Sequence, residues 1–305
     1  MKPSTSKLED IALTALAPLA WGTTYIVATE FLPPGHPLLV AALRALPVGL
    51  LLTLALRKLP HGIWWWRILI LGALNIGIMQ AMLFIAAYRL PGGVAATAGA
   101  IQPLLVILFS WLILQDKPAR GSIPLAFSGF LGIALLVLDP SAQLDLLGVI
   151  AALLGAVSMG LGTVLVKRWQ SPVPLLVFTA WQLTVGGALL LPVALLIEGP
   201  FVELTPMNIQ GLIYLGTIGT GLAYLLWFRG INQLSATAVS YLGLLSPVMA
   251  TLLGFLWLHQ ALTPVQVFGM VIIFLSVLLG QKITITRTVQ PVMTHQAIKR
   301  KVQSS

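Results

Sequence analysis

The sequence predicts an all-α membrane protein of ten transmembrane helices. Three observations carry that expectation: very little charge, apolar runs of spanning length, and cations confined to one side. Hydrophobic residues make up 58% of the 305-residue chain and charged residues only 8%, with a mean hydropathy of +0.98. A soluble domain needs roughly a quarter of its residues charged, so most of this surface must face lipid. Runs long enough to cross a hydrocarbon core of ~30 Å, separated by Pro, Gly or charge, fall at 11–31, 37–56, 68–88, 93–114 and 123–138. Five more follow at 146–166, 173–196, 208–229, 236–258 and 263–281. The first run is longer than a signal h-region and leads to no cleavage site, so it is expected to stay as a span.

Ten crossings put both termini on one side of the membrane. Lys2, Lys7, Arg57, Lys58, Arg67, Lys117, Arg120, Lys167, Arg168, Arg229, Lys282, Arg287, Lys299, Arg300 and Lys301 then share that side, 15 of the 17 Lys and Arg. Arg89 lies opposite and Arg44 inside a span. The positive-inside rule makes the shared side, and both termini, cytoplasmic. The net charge of +9 is thereby topological, and its dispersal over separate loops argues against nucleic-acid binding. Residues 1–10 read as a cytoplasmic segment, and 282–305 as a basic tail expected to be disordered beside anionic lipid.

The chain also repeats itself. Pro37-Leu-Leu-Val40 recurs as Pro174-Leu-Leu-Val177 at an offset of 137, with Gly49 matching Gly186. At an offset of 144, Gly72, Gly77, Phe84, Gly99 and Pro103 match Gly216, Gly221, Phe228, Gly243 and Pro247. Residues 11–138 and 146–281 are therefore read as two copies, and five spans per copy make the second copy inverted. Within each copy a Gly-x-x-x-Pro, Gly99–Pro103 and Gly243–Pro247, sits in mid-span. Proline lacks the N–H and clashes with the carbonyl four residues back, so these four residues are expected to form paired kinks.

Polar groups at membrane depth mark candidate paths. Trp21, Tyr25, Gln80, Gln102, Trp181 and Tyr224 are the preferred lining residues. Asn75 and Gln182 read equally as interhelical glue, and most Ser and Thr as bonded to their own helix. Arg44 asks for an anion, and Glu30 is the nearest candidate by depth, so the pair reads as buried charge, structural before functional. Gly148, Gly155 and Gly162 recur every seven residues and read as a packing stripe. Trp64, Trp65 and Trp66 read as interfacial anchors.

Several chemistries lack their residues. Asp10, Asp116, Asp139 and Asp145 fall at span ends, and His36, His61, His259 and His295 are scattered. No catalytic constellation, metal cluster or cofactor motif forms, and there is no cysteine. Gly216-Thr-Ile-Gly-Thr-Gly221 lacks the lysine of a phosphate loop. An enzyme is not expected, and no nucleotide motif points to ATP as the energy source.

Three segments resemble one known family. Ala20-Trp21-Gly22-Thr-Thr-Tyr25, Leu90-Pro-Gly-Gly-Val-Ala-Ala-Thr-Ala-Gly-Ala-Ile-Gln-Pro103 and Leu234-Ser-Ala-Thr-Ala-Val-Ser-Tyr-Leu-Gly-Leu-Leu-Ser-Pro247 are similar to the signatures of the EamA family of the drug/metabolite transporter superfamily. The chain departs from that pattern at Gln115-Asp116 and His259-Gln260, where the family often has Gly-Glu. The resemblance implies a secondary transporter of the inner membrane. It implies export of a small metabolite such as an amino acid by alternating access through a cavity lined by spans one, three, four, six, eight and nine. A pigment or drug-like aromatic substrate is the alternative. The partners expected are that substrate and the bilayer, with protons as a candidate coupling ion for which Glu30 is the one weak carrier. A sensor on a carrier scaffold would need a soluble domain that the sequence lacks, and a channel would need rings of like charge.

Overall fold

A computed structural model describes residues 5–90, 99–137, 145–200, 203–257 and 262–289. Residues 91–98 with Thr97, together with Asp139, His259, Gln260, His295 and the tail beyond 289, lie outside the described residues. Among the described residues the fold is helical throughout, without a strand.

Among the described residues, eight helices are long and apolar enough to cross a membrane: α1 (Lys7–Phe31), α2 (Pro37–Leu56), α3 (Trp64–Arg89), α6 (Leu146–Trp169), α7 (Leu175–Glu198), α8 (Pro206–Gln233), α9 (Ala236–Trp257) and α10 (Pro264–Thr284). Two shorter apolar helices, α4 (Gln102–Leu114) and α5 (Ser122–Leu136), complete the set. The last helix continues to Val289, through the first part of the expected tail. Helix starts follow local chemistry. Asp145 accepts from the Gly148 N–H at 2.9 Å, and Thr205 and Asn208 form a reciprocal capping box ahead of Pro206. The Glu198 carboxylate, at the end of α7, accepts the Leu38 and Leu39 N–H groups at 2.8 and 2.9 Å and so caps α2.

The helices pair across the two halves. The strongest packing is α2 on α7, followed by α3 on α6 and α5 on α10, and α3 on α6 is matched by α1 on α8. The α2–α7 seam is built from backbone contact: a Cβ on Gly49 would meet the Thr184 nitrogen at 2.4 Å, and one on Gly187 would meet Leu46 Cα at 2.7 Å. The stripe on α6 packs on α3, where added Cβ atoms at Gly148, Gly155 and Gly162 would strike Leu90, Met82 and Asn75. Glycine is required here because lipid gives helices no hydrophobic reason to associate, so close approach must supply the attraction.

Both α3 and α8 contain a π-helical turn, at Ala73–Ile78 and Thr217–Leu222. The two stand 144 residues apart, the offset of the sequence repeat, and the second includes the false phosphate loop. A π turn loosens the α-helical ladder, and neighbouring helices take up the carbonyls around it. Ser158 Oγ donates to Leu74 O at 2.7 Å, Tyr224 OH donates to Asn75 O at 3.0 Å, and Arg44 Nη2 donates to Gly219 O at 2.7 Å.

The expected proline kinks take a different form. Pro103 stands in the first turn of α4, after a turn at residues 100–101, and α9 is interrupted at Leu244 so that Pro247 opens its second piece. Each proline begins a helix instead of bending a continuous one, because a first-turn residue needs no N–H partner. The three tryptophans also divide. Trp65 and Trp66 are exposed, at 52% and 68%, whereas Trp64 is 7% exposed and packs edge-on to Phe178 at 6.3 Å. Consecutive helical residues differ by about 100°, so three cannot share one face.

Candidate functional site

The helix interruptions surround a cavity of about 150 Å³. Its walls come from α1, α3, α4, α6, α8 and α9, the six spans that the resemblance implies, with Arg44 of α2 and Ile133 of α5 added. A cavity of that volume in another protein holds one benzene ring, so the space suits a small solute.

Five of the six sequence candidates meet there: Trp21, Tyr25, Gln80, Gln102 and Tyr224. So do Gly99, Pro103, Gly243 and Pro247. The break after Gly22 sets the wall of α1. A Cβ on Gly22 would fall 2.6 Å from the Ser246 carbonyl oxygen, so this glycine lets α1 lie on the broken part of α9. Trp21 then rests on Tyr224 and Trp227, with ring centroids 5.2 and 5.0 Å apart and planes tilted by 55°. Tilted aromatic pairs of this kind are favourable and hold the indole rigidly.

Trp181 is elsewhere. It is 2% exposed, and its indole N–H donates to the Lys58 carbonyl at 2.7 Å, so it fastens α7 to the end of α2. The sequence pattern could not separate it from Trp21, since both are tryptophans beside polar residues in mid-span.

The amides divide in the same way. Asn75 Nδ2 donates to Gln182 Oε1 at 2.7 Å, away from the cavity, and ties α3 to α7. Gln80 and Gln102 border the cavity. Both amide atoms of Gln80, Gln102 Nε2 and Thr24 Oγ1 are buried without a hydrogen-bond partner among the described residues. An unsatisfied buried polar atom costs about 1–3 kcal/mol, and native proteins rarely keep several around one space unless water or a ligand visits it.

Arg44 also borders the cavity, and the expected pair with Glu30 does not form. Glu30 is exposed near the end of α1, where a carboxylate can keep its water. Arg44 is 1% exposed. Its Nε donates to Thr220 Oγ1 at 2.7 Å, Nη2 donates to Gly219 O, and Nη1 has no partner among the described residues. The Phe84 ring lies 5.6 Å from the guanidinium carbon. Sequence reasoning found Arg44 but not its partner, because the carbonyl it holds is released by a π turn. It also missed Met79, Phe84 and Met159 on the wall, which look like any apolar residues of a span.

Elsewhere, cations close helix ends. Lys167 Nζ donates to the carbonyls of Ile231, Asn232 and Leu234 at 2.8–3.2 Å, and Arg229 pairs with Asp10 at 2.7 Å. On the other side Arg89 pairs with Asp145 at 3.2 Å. The Gly148 N–H, and then Arg89, hold the Asp145 carboxyl below the usual carboxylate range. Its contribution to stability is present above the unfolded value and is lost only in acid, as pH falls through the lowered folded value.

Known proteins resemble the chain along most of its length. The model of the EamA-like transporter family matches twice, at residues 10–138 and 146–280. Protein PecM of Dickeya dadantii is 46% identical over 92% of this chain and 94% of its own length. Uncharacterized transporter YvbV of Bacillus subtilis is 28% identical over 90% of this chain and 92% of its own length, and uncharacterized inner membrane transporter YedA of Escherichia coli K12 is 29% identical over 77% and 78%. One crystal structure, 20% identical, shares the fold with a TM-score of 0.76 over 93% of this chain and 99% of that one. The chain is a multi-pass inner-membrane protein and belongs to the EamA-like transporter family.

Proposed function

We propose that the protein is a secondary carrier that exports a small amphipathic metabolite by alternating access, with the cavity as its substrate site. The single observation that carries this reading is the coincidence of three features at one place. The helix interruptions, the unpartnered polar atoms and the junction of the two halves all surround the same space.

The topology belongs to the same proposal: ten crossings in two inverted five-helix copies, both termini cytoplasmic. Contacts between helix ends support it, since each joins segments that the charge distribution assigns to one side. Arg229 meets Asp10, Lys167 meets the end of α8, and Trp181 meets Lys58 on the cytoplasmic side. Arg89 meets Asp145 and Glu198 meets Leu38 opposite. Two helices broken beside the cavity, α1 at Thr23 and α9 at Leu244, allow the halves to rock about it.

Trp21, Tyr25, Phe84 and Tyr224 make the wall strongly aromatic. This favours a flat aromatic solute over an aliphatic amino acid, whose ammonium would find aromatic faces but no carboxylate in the lining. Among the described residues no Asp, Glu or His borders the space, and no resident proton carrier is proposed.

The test is flux in proteoliposomes loaded with labelled amino acids or aromatic metabolites, with and without an imposed pH gradient. The expected result is saturable flux of a restricted solute class, unchanged by the gradient at fixed substrate ionisation. Absence of saturable flux across both panels would contradict the carrier reading.

A further inference from the structure

We propose that Arg44 is the substrate anchor and that the transported solute is a monoanion held through a carboxylate. The proposal rests on the carrier reading for its site and goes beyond it in assigning the ligand's charge.

The observations concern one side chain. Arg44 is a guanidinium at membrane depth, 1% exposed and bordering the cavity, with no ion pair among the described residues. A lone arginine in hydrocarbon is costly enough that it persists only with a partner or a function. Thr220 and Gly219 occupy Nε and Nη2 and leave Nη1 unpartnered. These two neutral bonds orient the fork but leave its charge uncompensated. Residue Trp181 stands at the matching position of the other half, 137 residues on, and there the link to the opposing π turn is the neutral Asn75–Gln182 bond. A neutral link therefore suffices to hold such a joint, and packing alone does not explain a cation at this one.

The lining sets the ligand's charge. Among the described lining residues Arg44 is the only Lys, Arg or His, and none of them is an acid. A carboxylate brings one negative charge and leaves the site neutral. A phosphate dianion would leave a net negative charge in a low-dielectric space without the further N–H donors such groups require. A zwitterion would add an ammonium with no carboxylate to receive it. Gln80, with its donor and acceptor both unpartnered, can serve a second polar group on the ligand, while Trp21 and Phe84 receive its apolar body.

Matched solutes test this in detergent-purified protein. They are 3-phenylpropanoate, 3-phenylpropanamide and phenylalanine, with hexanoate and hexanamide as an aliphatic pair. The expected result is that a carboxylate at a hundredfold excess over its Kd raises the unfolding temperature by about 5 °C while its amide does not. Arg44→Gln should weaken carboxylate binding by roughly ten- to a hundredfold, and Arg44→Lys should recover part of it. Should Arg44→Gln fail to fold, labelling of wild-type arginines with hydroxyphenylglyoxal decides, because Arg44 should react and 3-phenylpropanoate alone should protect it. No carboxylate–amide difference in any pair, an unreactive Arg44, or equal protection by amide and acid overturns the proposal. If neutral or zwitterionic solutes nevertheless show saturable flux, only the anchor fails. If no solute shows saturable flux, the carrier reading fails instead.

Discussion

Gly187→Leu should abolish recovery of folded, monodisperse protein in detergent. A Cβ at Gly187 would lie 2.7 Å from the nitrogen, Cα and Cβ of Leu46, so two helix backbones, not a flexible side chain, would have to part. One extra methylene in a packed core costs typically 1–3 kcal/mol, and leucine adds several carbons at a contact already closed. Total stabilities of 5–15 kcal/mol leave little to absorb it. Gly187→Ala should fold with a clearly lowered unfolding temperature. Gly99→Ala is the control for folding: its Cβ would meet nothing within 4 Å. Size-exclusion profiles and thermal unfolding check all three, and a well-folded Gly187→Leu would show that the α2–α7 seam is not as close as described.

Trp21→Ala should leave the fold intact and reduce transport. The side chain is half-buried, and its contacts, Tyr224 and Trp227, are held by other packing. An aromatic contact is worth about 0.5–1.5 kcal/mol beyond area burial, and 1.4 kcal/mol is one decade in affinity. Loss of the indole should therefore raise the apparent KM roughly tenfold, with Trp21→Phe recovering most of it. An unchanged KM in Trp21→Ala would remove this wall from the site. Gln102, whose Nε2 lacks a partner, is expected to act beside it.

Much of this was legible before the structure because the bilayer imposes strong rules. Apolar length and cation asymmetry are set by hydrocarbon thickness and insertion, and the search for polar or amphipathic residues at depth leads to five that border the cavity, Trp21, Tyr25, Gln80, Gln102 and Tyr224. What stayed hidden depends on where a side chain points. Trp181 and Trp21 look alike in sequence, but one finds a backbone carbonyl and the other a cavity. Asn75 and Gln80 are five residues apart, yet Asn75 lies within the π turn and Gln80 just after it, and one meets Gln182 while the other borders the cavity. Glycine pairs at constant offset were the only trace of those turns, and they read as packing. The Arg44–Glu30 pairing failed because depth along a helix says nothing about azimuth.

Alternating access requires that one cavity be reached in turn from the two sides of the membrane. The chain has no cysteine, so Ser240→Cys, in the cavity wall and 1% exposed, would carry the sole thiol. Its reaction with a membrane-impermeant maleimide, added to either side of sealed, oriented proteoliposomes, tests this requirement most directly. Labelling from both sides is expected, with a transported solute changing the balance between them. Labelling from one side only, unmoved by any solute that binds, would contradict it.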